Sequence, residues 1–156
     1  MEHDALPDDR LTLAVQRAQT VMAHAWMVRT FVKHSPEAEE HPELMEVVRL
    51  IFDTARQLEI YVNDPRKYIE KLRGKLPKWR RQAEAFAQQA PLISDHTNFH
   101  QAVLSFWGCV TELEAIAGSI PPPQPAKLPS HFRPPMIERQ QHLPSAIPPS
   151  TTSSTD

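Results

Sequence analysis

The segment from 11 to 32, Leu11-Thr-Leu-Ala14-Val-Gln-Arg-Ala18-Gln-Thr-Val21-Met-Ala-His-Ala25-Trp-Met-Val28-Arg-Thr-Phe-Val32, sets an apolar residue at alternating steps of three and four without a miss. That step tracks the 3.6-residue turn of an α-helix and draws one apolar stripe along it. The rhythm returns in Leu44, Val48, Ile51, Ala55, Leu58 and Val62, and again in Phe99, Val103, Phe106, Val110, Leu113 and Ala117. Between these two segments, Pro65, Ile69, Leu72, Leu76, Trp79, Ala83, Phe86 and Ala90 keep it as well. Val15, Met22, Phe31, Phe52 and Trp107 widen the stripes toward core-facing surfaces. Trp26, Trp79 and Trp107 read as core anchors, each large and apolar with a single donor.

Boundary residues agree with four helices. Ser35-Pro36-Glu37 stops the first and starts a single capped turn, because proline suits the first helical position. His41-Pro42-Glu43 opens the second, and Asp64 is a natural N-cap for the third, with Pro65 following it. Ser94 or Asp95 is predicted to cap the fourth, and Gly118 to close it in a left-handed conformation. Within the third segment, Gly74 followed by Pro77 is the order of a helix end and a helix start, and an interior proline costs ~3 kcal/mol. A kink or a complete break is therefore predicted at 74–77. Short connections make neighbouring helices antiparallel. The fold predicted is all-α, an up-down-up-down four-helix bundle over residues 8–118 behind an N-terminal arm, 1–7.

Composition narrows the alternatives. The 156 residues hold only 3 Gly, too few for the tight hairpins of an all-β fold or the loops of nucleotide-binding folds. One cysteine, Cys109, excludes an internal disulfide framework and a Cys-based zinc site. A formal charge of −2 weighs against nucleic-acid binding by the whole surface and leaves room for a local patch. No apolar run nears the ~20 residues of a membrane span, and the acidic start lacks signal-peptide character. The expectation is a cytoplasmic protein without membrane contact. Ten of the 16 prolines fall after Gly118, so residues 119–156 are predicted to form a disordered tail. There Pro122-Pro123-Gln124-Pro125 has the spacing read by peptide-motif receptors.

Charge is concentrated in one stretch. From Arg66 to Arg81 there are eight basic residues (Arg66, Lys67, Lys71, Arg73, Lys75, Lys78, Arg80 and Arg81) against one acid, Glu70. Arg66, Arg73 and Arg80 recur every seven residues, a stripe beside the core on an unbroken helix. On a broken one, Lys75, Lys78 and Arg81 would ring the amides of a new helix start, an arrangement that favours a bound anion. Arg66, Arg73, Lys75, Lys78, Arg80 and Arg81 are thus the candidate residues for an anionic partner, an acidic protein or nucleic acid. The competing explanation is a solvated face, answered in part by residues 35–64, which carry eight acids against two basic residues.

A second constellation is His-rich. His96 and His100 share one helix face at the His-x3-His spacing of metal ligands. The predicted topology brings them to the bundle end that also carries His34, His41, Glu37, Glu39, Glu40 and Glu43. No cofactor is the first expectation; a divalent metal such as zinc, held by His34, His41, His96 and His100, is the alternative. Acids at those helix starts are also explained by the helix dipole.

Arg29-Thr-Phe-Val-Lys-His34 carries an Arg-x4-His spacing that resembles the short motif of the HEPN superfamily, small all-α domains that include ribonucleases. The resemblance covers six residues and implies Arg29 and His34 as a catalytic pair acting on RNA phosphates. It departs from the family in its place on the first helix, and a five-residue step sets the two side chains off a common face. Cys109, beside the seam and with no base near it in sequence, is not a nucleophile candidate. Ala14, Ala18 and Ala25 allow close approach of a neighbouring helix or a second subunit. The function expected is a non-enzymatic interaction module, with a homodimer as one possible assembly and a His-rich metal-binding or HEPN-like ribonuclease-type protein as the alternative.

Overall fold

The computed structural model describes residues 7–122, and each apolar stripe lies on a helix. The elements are α1 (Pro7–Lys33), the short α2 (Pro36–Glu40), a 3-10 turn (Pro42–Leu44), α3 (Met45–Glu59), α4 (Pro65–Ile93) and α5 (Thr97–Gly118). The described residues contain no strand, and none of their helices is long and apolar enough to cross a membrane. The predicted tail beyond residue 122, its Pro-x-x-P run included, and the first six residues of the arm lie outside the described residues.

The four long helices α1, α3, α4 and α5 share one core. α1 packs on α3, α4 and α5, and α4 also packs on α3 and α5. Arg17, early in α1, pairs with Glu112, late in α5, while Phe31, late in α1, meets Phe99, early in α5, at 5.1 Å between ring centroids. All seven seam residues of α1 from Leu11 to Val32 are buried, as are Ile69, Leu72, Leu76, Trp79, Ala83, Phe86 and Ala90 of α4. Val62 departs from its seam; it lies beyond the end of α3 and is exposed.

At the centre, Trp79 Nε1 donates to Thr54 Oγ1 at 2.9 Å. This bond satisfies the indole and a fully buried hydroxyl together, removing the cost of ~1–3 kcal/mol that either would carry alone. Phe106 stacks on Trp79 and meets Phe86 edge-on. Trp79 is the only one of the three tryptophans to be buried; Trp26 and Trp107 keep 37% and 39% of their surface. Each follows a seam position by one residue or precedes a buried one by two, which turns it to the edge of its stripe.

Of the kink or complete break predicted at 74–77, the complete break is absent, and α4 runs for 29 residues through Pro77. Gly74 is helical, exposed and without a left-handed φ. Packing explains the continuity. Leu72, Leu76 and Trp79 bury on one face across the proline, at roughly 1.5–3 kcal/mol for each large side chain. Together they outweigh the ~3 kcal/mol that an interior proline costs.

The caps are partly those expected. Asp64 Oδ1 accepts the Lys67 N–H at 3.2 Å, and Pro65 takes the first helical position. Ser35 precedes Pro36, and its hydroxyl donates back to the Val32 carbonyl at 2.6 Å, tying off α1. At α5 the cap is His96, not Ser94 or Asp95: its Nδ1 accepts the Asn98 N–H at 3.1 Å, while Ser94 Oγ accepts the His96 N–H. Gly118 stays within α5, and no described residue has a positive φ. The chain leaves through Ser119, whose N–H bonds to the Ala115 carbonyl at 3.0 Å.

Candidate anion-binding face

The basic stretch lies wholly on α4, and helix continuity sorts its eight cations into two sets. Arg73 and Arg80 turn toward α5. Arg73 Nη2 donates to the carbonyls of Ala117 and Ile120, at 2.9 and 2.6 Å. The Ala117 carbonyl belongs to the open last turn of α5, where the helix dipole favours a cation, and the Ile120 carbonyl to the segment just after it. Arg80 Nε donates to Glu114 Oε1 at 2.8 Å and Nη2 to Thr111 Oγ1 at 3.3 Å, and the guanidinium lies 4.8 Å from the Trp107 ring centre. The two arginines flank a cleft of about 460 Å³ that also includes Leu76 and Pro77. Two members of the predicted stripe are thus occupied in joining α4 to α5.

The counter-charge bears on the competing explanation, a face answered in part by residues 35–64. Among the described residues no acid of 35–64 forms a salt bridge with a cation of the basic stretch. Glu46 pairs with Arg49 and Glu59 with Arg56, both within α3, and the carboxylate that meets α4 is Glu114 of α5.

The other cations face outward. Lys67, Lys71, Gly74, Lys78 and Arg81 recur at steps of four, three, four and three and are all exposed. On a helix rising 1.5 Å per residue they form a straight ribbon about 21 Å long. Arg66 is exposed beside it and Lys75 half-buried. Lys71 Nζ stands 5.9 Å from the Tyr61 ring centre. Among the described residues none of Arg66, Lys67, Lys71, Lys75, Lys78 and Arg81 has a carboxylate within salt-bridge distance. Glu70 lies along the ribbon without pairing.

This ribbon is locally unfavourable. Like charges four residues apart each cost a few tenths of a kcal/mol, and Arg66 and Lys67 sit at the positive end of the helix dipole. Lys67 and Lys71 did not enter the predicted set. Their 4-3-4-3 step was present in the sequence, but only an unbroken helix turns it into a face.

The four histidines are dispersed. His34 and His96 line one open cavity of about 550 Å³ with Phe31, Glu37 and Phe99. His100 borders a different cavity, with Leu104 and Pro91. His41 lies 3.5 Å from Glu43. His96 and His100 are both exposed; His96, three before Phe99 and so in step with the α5 seam, does not join the core. Among the described residues no three His, Cys, Asp or Glu side chains converge as a metal-ligand set. The HEPN-like pair is likewise directed to different surroundings. Arg29 stacks on Trp26 and Phe52, at 4.4 and 5.2 Å from the ring centres, and His34 borders the cavity it shares with His96.

Cys109 is buried, and burial pushes its thiol up to about 11, away from the thiolate a nucleophile needs. Compared with protein-family models, curated proteins and solved structures, the chain matches none.

Proposed function

We propose that this chain is a non-enzymatic helical module, an antiparallel up-down-up-down four-helix bundle, that binds an anionic partner, acidic protein or nucleic acid, through the outward face of α4. The observation that carries this reading is the ribbon of Lys67, Lys71, Lys78 and Arg81, exposed and with no carboxylate in salt-bridge contact among the described residues. Arg66 and Lys75 extend it. Arg73 and Arg80 support it from behind by fixing α4 against α5, so the ribbon stands on a rigid element.

Ammonium groups dominate the ribbon, and its outward line holds no aromatic side chain. Such a surface recognises charge density and reads no bases. A phosphate polymer or a carboxylate-rich chain satisfies it, with affinity set by released counterions and therefore by salt. The lone buried thiol suits a reducing cytoplasmic setting. The experiment is a titration of fluorescent duplex DNA and of fluorescent polyglutamate with the full chain over a series of salt concentrations. Salt-sensitive binding to at least one of them supports the reading, and none at low ionic strength removes it.

A further inference from the structure

α5 is capped by a ring nitrogen rather than by an oxygen. His96 Nδ1 accepts the Asn98 N–H at 3.1 Å, and the His96 backbone N–H donates to Ser94 Oγ at 3.2 Å. Ser94, just past the end of α4, donates in turn from Oγ to Glu37 Oε1 of α2 at 3.4 Å. One chain of hydrogen bonds thus joins α2, the end of α4 and the start of α5.

The hydroxyl and amide oxygens that usually cap helices accept a hydrogen bond at any ordinary pH. An imidazole accepts only through a nitrogen that carries no proton, so this cap requires a bare Nδ1 with the ring hydrogen on Nε2. Protonation makes both nitrogens donors and sets an N–H against the Asn98 N–H. It also places a positive charge at the positive end of the α5 dipole. The capped state therefore binds one proton fewer, and the cap is complete at neutral pH and lost as pH falls.

The surroundings give the protonated ring somewhere to go. His96 is exposed, and among the described residues no carboxylate lies within salt-bridge distance of it. The ionisable groups that face it are Glu37 of α2 and His34 of α1, which line the same open cavity. The last residues of α4, 90–93, carry no charge, and Asp95 and His100 are its ionisable neighbours along the chain. Glu37 is the carboxylate on that cavity and the counter-charge an imidazolium meets there. Phe99 is buried and packs edge-on against Phe31, which confines any loosening to the residues before it.

From the imidazole cap and the carboxylate on its cavity, we infer that the start of α5 is an acid-sensitive joint. Near neutral pH His96 caps the helix. Below about pH 6, within the range where histidine changes charge, the ring releases the Asn98 N–H and turns toward Glu37. The first turn of α5 and its link to α4 then loosen, while the helix beyond Phe99 stays in place. The joint is independent of the α4 ribbon.

The test is amide exchange of the full chain by NMR, expressed as protection factors at about pH 7.5 and about pH 5. Protection of Asn98 should fall about fivefold on acidification, the equivalent of a lost N-cap, while that of Val110 in mid-helix stays constant. His96→Asn, whose amide oxygen caps at either pH, should keep Asn98 protected at both, and His34→Gln should leave the fall in place. The ring nitrogen shifts of His96 should show Nδ1 bare at the higher pH. Equal Asn98 protection at both pH values in the parent, an undiminished fall in His96→Asn, a fall abolished by His34→Gln, or a proton on Nδ1 at pH 7.5 would each overturn the assignment.

Discussion

Arg73, in the middle of α4, closes the end of α5 by donating to the carbonyls of both Ala117 and Ile120. One side chain thereby fixes the register between two helices, satisfying a carbonyl of the last turn of α5 and one in the segment that follows it. Charged hydrogen bonds in such partly buried positions contribute more than neutral ones. Arg73→Ala should lower the unfolding free energy by about 1–3 kcal/mol in a denaturant titration. Because Arg73 faces α5, the folded variant should bind a polyanion within about twofold of the parent, an interval well below 1 kcal/mol.

The continuity of α4 has its own check at Gly74. The residue is helical and exposed, and an added methyl group would meet nothing within 4 Å. Gly74→Ala should therefore stabilise the protein by about 1 kcal/mol, the difference in helix propensity. The same holds for Gly108 in α5, where the surroundings are equally open. Were the chain to end one helix at Gly74 and begin another at Pro77, the alanine would instead lower the melting temperature.

Leu58 and Leu113 are 2% and 0% exposed, whereas Leu104 on α5 keeps 65% of its surface. Alanine at either of the first two should cost ~2–5 kcal/mol through lost burial and the cavity left behind. Leu104→Ala should stay within about 0.5 kcal/mol. Urea titrations of the three variants give these differences directly, and equal losses at Leu104 and Leu113 would contradict the orientation of α5.

Alkaline pH should unfold the protein early. Burial raises the Cys109 thiol from 9.0 to about 11 and the Tyr68 phenol from 10.0 to about 12. Both groups are neutral when protonated, and the unfolded chain ionises first. Their contribution is thus fully present below pH 9, and stability falls as pH rises from 9 to about 11 for the thiol and from 10 to about 12 for the phenol. Cys109→Ser tests the first part: its melting temperature should depend less on pH between 9 and 11. A thiol reagent at pH 8 should react with Cys109 only as fast as the protein opens.

The long helices were legible because their seams are fixed by a period that a string of letters preserves. Leu11 to Val32 and Ile69 to Ala90 are buried as the spacing requires. What the sequence did not disclose depends on neighbours brought by tertiary packing. Gly74 and Pro77 form a local stop signal, yet Leu72, Leu76 and Trp79 bury on both sides of it and carry the helix through. Arg73 and Arg80 resemble the other basic residues in sequence; only the end of α5 and Glu114 distinguish them. His96 looks like a seam residue at three before Phe99, but its ring caps the helix through Asn98. The tryptophans make the same point, since the edge positions of Trp26 and Trp107 follow from which helix lies beside them.

The ribbon itself is tested most directly by the salt dependence of binding to a duplex DNA of about 20 base pairs, with polyglutamate in parallel, for three proteins. These are the parent, the triple variant Lys67→Glu, Lys78→Glu, Arg81→Glu, and the triple variant His34→Ala, His96→Ala, His100→Ala. Neutralising about four phosphates gives the parent a slope of log affinity against log salt between about −3 and −4, a loss of roughly a hundredfold from 50 to 200 mM salt. The charge-reversed protein should retain its helical circular dichroism and lose both the binding and the slope, while the histidine variant should bind like the parent. Undiminished binding by the charge-reversed protein, or loss confined to the histidine variant, would contradict the role given to the outward face of α4.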